Sequence, residues 1–100
     1  MIIGVVRIDC RLFDVHSLKQ KRSQVKRLIN RIRSGFPLSV AEVGYQDLHQ
    51  RSLIGASICV QSEKLARSVF RNLESDLENY GLVEIVNIDF DYLNYGEDLN

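Results

Sequence analysis

The chain has a single proline, Pro37, no tryptophan, two cysteines, two histidines and no excess charge of either sign, its thirteen Lys and Arg matching thirteen Asp and Glu. Each shortage excludes something. One proline with 45% apolar residues and zero net charge does not fit a disordered or proline-rich chain. Cys10 and Cys59 sit inside apolar runs and form no CxxC pair, so a disulfide-dense secreted scaffold is excluded. Free buried thiols in a reducing compartment explain them best, and a disulfide stays open only if their strands are neighbours. No apolar run approaches the ~20 residues needed to cross a bilayer. Arg7 and Asp9 interrupt the opening run MIIGVVRIDC, which therefore fits no signal-peptide core. A cytoplasmic protein without membrane contact is expected. At 100 residues there is room for one small core, since a second would need roughly another 50 to 100.

What is present specifies a fold. Ile2 to Phe13 alternate, with Gly4, Val6, Ile8, Cys10 and Leu12 on one face and Ile3, Val5, Arg7, Asp9 and Arg11 on the other, which predicts a strand with one buried side. Ser17 then precedes Leu18, Val25, Leu28, Ile29 and Ile32, a helical period that stops before Gly35 and Pro37. Leu38–Gln46 and Leu53–Gln61 read as two strands joined by a polar connection. Ser62 opens a second helix with Leu65, Ala66, Val69, Phe70, Leu73 and Leu77 on its core stripe, stopping at Gly81. Leu82–Tyr92 closes the domain as a strand with Val86, Ile88, Phe90 and Tyr92 inward and Asn87, Asp89 and Asp91 outward. The order βαββαβ, with right-handed crossovers and both helices on one sheet face, predicts a ferredoxin-like α+β sandwich over residues 1–92, with an acidic tail at 93–100. Its first and third strands are central, its second is an edge, and one sheet face stays open.

Zero net charge conceals a separation by position. Between Val15 and Ala41 lie Lys19, Lys21, Arg22, Lys26, Arg27, Arg31 and Arg33 without one acid, whereas Asn72 to Asn100 carries eight acids without one base. At about 100° per residue, Lys19, Arg22, Lys26 and Arg33 fall on one strip of the first helix. Four cations so placed make a phosphate-backbone footprint, with Lys21, Arg27 and Arg31 widening the field. The plainer alternative is a solvated helix whose long side chains shield the core edge.

The remaining motifs exclude more than they assign. An RNA-recognition motif of this fold stacks bases on aromatic side chains of its central strands. The third strand here, Leu53 to Val60, has none, so nucleic-acid contacts are expected to read shape and backbone. The connection gathers Asp47, His49, Gln50 and Arg51 just after Tyr45, and Asp, His and Arg together could form an acid-base or phosphate site. No Ser or Cys nucleophile lies beside them and His16 is distant, so turn chemistry, with Glu42 a partner for Gln50 or Arg51, is the expected role. No metal site, cofactor site, Walker loop or GxGxxG is present. An acylphosphatase-like anion loop and a metallochaperone CxxC are both missing after the first strand.

Ser17-Leu18-Lys19-Gln20-Lys21-Arg22, then Ser39 through Arg51 (SVAEVGYQDLHQR), then Gly55 resemble the YlxP-like family of small bacterial proteins with a domain of unknown function. The resemblance covers about Met1 to Tyr92 and implies a ferredoxin-like fold and a bacterial cytoplasmic protein whose gene often lies beside translation and ribosome-maturation factors. It implies no reaction, cofactor or catalytic residue. Residues and resemblance together lead to the expectation of a non-catalytic accessory protein that binds structured RNA, ribosomal RNA or a ribosome-associated factor through Lys19, Arg22, Lys26 and Arg33, extended by His49 and Arg51. Two other readings remain. One is a module that homodimerises through its open face or edge, favoured by outward Ile3 and Val5. The other is a small enzyme built on Asp47, His49 and Arg51.

Overall fold

The computed structural model describes residues 1–96 and runs β1 (Ile2–Leu12), α1 (Leu18–Gly35), β2 (Ser39–Gly44), β3 (Arg51–Val60), α2 (Glu63–Glu78) and β4 (Val83–Asn94). All strand pairings are antiparallel and the order across the sheet is β2-β3-β1-β4, so β1 and β3 are central and β2 and β4 are edges. This is the expected βαββαβ sandwich. Val6, Ile8, Cys10 and Leu12 of β1 meet Ile54, Ala56 and Ile58 of β3 under Val25, Leu28 and Ile32 of α1 and Ala66, Phe70, Leu73 and Leu77 of α2, forming one core.

Both helices start where a serine can cap them. Ser17 Oγ accepts the Gln20 N–H at 3.1 Å, and Gln20 Oε1 accepts the His16 N–H at 2.7 Å, a reciprocal arrangement akin to a capping box. Ser62 Oγ accepts the Leu65 N–H at 3.2 Å. Arg31 joins the two helices by hydrogen bonds of 2.9 and 3.0 Å to Asp76 while lying 4.4 Å from the centre of the Tyr80 ring. On the outer face of α2, Glu63 and Arg67 form an i,i+4 surface pair at 3.1 Å.

Four local expectations are corrected. Leu65, assigned to the α2 stripe, is 50% exposed, because the stripe runs Ala66, Phe70, Leu73, Leu77 and Leu65 falls one step off it. Val86, expected inward, is 48% exposed. A bulge opposite Asp9 and Cys10 inserts it as an unpaired residue, so Ile85 takes the inward place and the alternation resumes at Ile88. β4 also runs on past Tyr92, since Leu93 and Asn94 pair with Ile3 and Ile2, and the Tyr95 N–H donates to the Met1 carbonyl at 2.8 Å. The proposed tail therefore begins later than residue 93, and its residues 97–100 lie outside those described. Finally, β3 starts at Arg51, two residues early, which leaves Tyr45–Gln50 as the connection. Cys10 is buried opposite Ser52 and Cys59 is exposed opposite Ile3, so the thiols sit on opposite faces and both are free.

Candidate nucleic-acid interface

The α1 stripe 21, 25, 28, 32 turns one residue in a direction that its charge alone would not suggest. Lys21, counted above within the basic field, is 1% exposed. Its Nζ lies 3.0 Å from Glu42 Oε2 and also donates to the Tyr45 carbonyl. Glu42 in turn accepts the hydroxyl of buried Ser52 at 2.5 Å. A buried ammonium requires both a counter-charge and hydrogen-bond acceptors, and this network supplies them from β2, β3 and the turn between them. Tyr45 takes a left-handed backbone conformation (φ 60°), unusual for a bulky residue, and its carbonyl is held there by Lys21.

Arg51 also departs from expectation. Its partner is Asp9 of β1, reached through Nη2 at 2.8 Å to both carboxylate oxygens, and not Glu42; its guanidinium also lies 5.3 Å from the centre of the Tyr45 ring. Hydrogen bonding to Asp9 pushes the Arg51 pKa further up. Gln50 donates to the Val15 carbonyl at 3.2 Å and so pins the connection to the β1–α1 loop. Asp47 and His49 are exposed and make no side-chain hydrogen bond or ion pair among the described residues. Arg51 is thus drawn onto the sheet face, away from the solvent-facing pair with which it was grouped.

The helix strip is assembled as expected. Lys19, Arg22, Lys26 and Arg33 are exposed, as is Arg27, and among the described residues none has a carboxylate partner. Arg33 donates through Nη2 to the Val40 carbonyl at 3.0 Å, spanning from the end of α1 to the free edge of β2. Between helix and edge runs a groove of about 440 Å³, bordered by Arg22, Lys26, Asn30 and Arg33 and floored by Val25, Ile29 and Val40. Glu42 is the one acid on its lining and is already engaged by Lys21 and Ser52. Sequence reasoning missed the groove and Asn30, because nothing local says that β2 leaves space beside α1. It could have found Lys21, whose spacing to Val25, Leu28 and Ile32 is that of a core position.

The open sheet face carries three cross-strand charge pairs: Arg7–Asp89 at 3.2 Å, Arg11–Glu84 at 2.6 Å and Arg51–Asp9 at 2.8 Å. Its arginines are therefore neutralised, whereas Arg22, Arg27 and Arg33 of α1 have no carboxylate partner among the described residues. No helix among the described residues is long and apolar enough to cross a membrane, and no group of three or more His, Cys, Asp or Glu there could hold a metal ion.

Fold and surface together define a small two-layer α+β domain with a basic helix-and-edge groove on one side and a charge-paired open sheet face. Residues 3–90 match the family described as Protein of unknown function (DUF503), and the chain belongs to it. It is similar to the "Uncharacterized protein YlxP" of Bacillus subtilis (strain 168), 37% identical over 78 residues that cover 74% of this chain and 85% of the relative.

Proposed function

We propose that this protein is a non-catalytic accessory domain that binds structured RNA, such as ribosomal RNA or an RNA–protein particle, through Lys19, Arg22, Lys26 and Arg33. The observation that carries the reading is that α1 presents exposed cations with no carboxylate partner, while the arginines of the sheet face are paired. Unpaired cations on one strip release condensed counterions when they meet phosphates, and that release drives binding. The exposed, unpartnered state of Asp47 and His49, with Arg51 committed to Asp9, supports a non-catalytic role.

The test is purification from cells at low salt, repeated after nuclease and at high salt, with co-purifying RNA and ribosomal particles quantified. Recovered RNA should leave with either treatment. Arg22→Ala/Lys26→Ala should weaken binding at every sequence and flatten the dependence of log affinity on log salt by roughly 1.8 on duplex, about 0.9 per lost contact. An unchanged slope and affinity would rule out this surface.

A second reading, homodimerisation through the open face, is favoured by Val5 at 43% and Leu93 at 60% exposed, diagonal neighbours on β1 and β4. Light scattering across a wide concentration range decides it, and a monomer throughout removes it.

A further inference from the structure

We infer that the groove between α1 and β2 holds an unpaired nucleotide of a single-stranded RNA segment, its base on the groove floor and its phosphates on Arg22, Lys26 and Arg33. This rests on the RNA reading above and names the form of RNA that the site selects.

A duplex rides over a convex surface and needs cations but no hollow. Here the cations border a hollow of about 440 Å³, within the ~300 to 1,000 Å³ that encloses small ligands. Its floor of Val25, Ile29 and Val40 is aliphatic, a surface that suits the flat face of a base. It lacks the aromatic platform of other single-strand binders, so selectivity has to come from polar groups beside the base.

The edge strand supplies those groups. Because the Val40 carbonyl accepts from Arg33, it points away from β3 towards the groove. The N–H and C=O of one strand residue share a direction that repeats every second residue. The Val40 N–H and both backbone groups of Glu42 therefore line the same free edge, with the Asn30 carboxamide across from them on α1. A donor-and-acceptor row of this kind can pair with the Watson–Crick edge of an unpaired base, an edge that a base within a duplex does not offer. The edge is poorly suited to the other occupant with matching chemistry, an extended acidic peptide added as a strand. β2 has six residues, carries a bulge between Glu42 and Gly44 and ends at left-handed Tyr45, devices that discourage strand addition.

The experiment uses the full-length, isotope-labelled wild-type chain, with amide spectra and hydrogen exchange followed during titration by four probes: decamers of uridylate, adenylate or cytidylate; a duplex of ten base pairs; a free nucleoside monophosphate; and a glutamate-rich decapeptide. At equal salt, at least one single strand should bind tenfold or more tighter than the duplex, shift the Val40 and Glu42 amides and slow their exchange. Asn30→Leu, an exposed and charge-neutral change, should weaken the single strand fivefold or more and leave duplex affinity unchanged. Duplex binding as tight as any single strand, with shifts confined to the outer face of α1, overturns the nucleotide groove and leaves the phosphate surface standing. A monophosphate that binds as tightly as a decamer overturns the single-strand assignment in favour of a free nucleotide. If no nucleic acid binds, both readings fail, and a peptide that alone shifts the β2 amides replaces them.

Discussion

Lys21 occupies a position that the helical period reserves for an apolar side chain, and its charge survives there only because Glu42 and the Tyr45 carbonyl meet it. Removing one member of such a pair leaves the other buried and uncompensated, at a cost of about 3 to 5 kcal/mol. Lys21→Met should therefore lower the urea midpoint sharply, and Lys21→Met/Glu42→Gln should recover a good part of the loss, since Gln can still accept from Ser52. A double variant no more stable than the single would show that the pair is not what fixes the hairpin. Cys10 provides a second residue-scale prediction. Burial, aided by the nearby Asp9 charge, pushes its thiol from 9.0 up to about 12. The folded state keeps a proton that the unfolded state releases, so this contribution is intact below pH 9 and is lost as pH rises towards 12, at about 1.4 kcal/mol per pH unit. Denaturation curves of wild type and Cys10→Ala compared from pH 8 to 11 should converge as pH rises. In the native state a thiol reagent at pH 8 should modify Cys59 alone, and after unfolding both.

Among elements, α2 packs tightly where it crosses β1 and β4. The Phe70 ring stacks on Phe90 with centroids 5.6 Å apart, and a Cβ on Gly4 would come within 3.0 Å of the Phe70 ring and 3.1 Å of Ile58. Gly4→Ala should therefore destabilise by about 1 to 3 kcal/mol through overpacking, read as a melting temperature lower by roughly 4 to 8 °C per kcal/mol. A variant that melts with wild type would mean that Phe70 moves aside freely. The sequence made Gly4 an inward position but gave no reason for glycine, because the ring that needs the space comes from a helix sixty-six residues later. The element list and both serine caps were legible, since periodicity and capping are local. The bulge at Val86 was not: VEIVNIDFDY alternates from Val86 onward, and only pairing with β1 shows that one residue is extra.

For the whole molecule, charge separation matters more than net charge. The formal sum is zero, yet Lys19, Arg22, Lys26, Arg27 and Arg33 of α1 lack carboxylate partners among the described residues, while Glu84 and Asp89 of β4 are spent on Arg11 and Arg7. A field of one sign over one face governs encounter with a charged partner. The wild-type chain should consequently be retained on a cation exchanger near neutral pH despite having no net charge, and Lys26→Glu should elute at lower salt than Asp47→Lys should at higher. Equal retention of Lys26→Glu and wild type would show that α1 does not dominate the field.

The six elements, their order, the sandwich and the basic strip on α1 were readable in the sequence, because all of these follow from local periods and from the few ways that βαββαβ can close. Only the assembled fold shows that Lys21 pairs with Glu42, that Arg51 belongs to Asp9, and that α1 and β2 leave a groove with a free backbone edge. Partners far apart in the chain are chosen by register and by the distance between packed layers, and those are properties of the assembled sheet that no local pattern records.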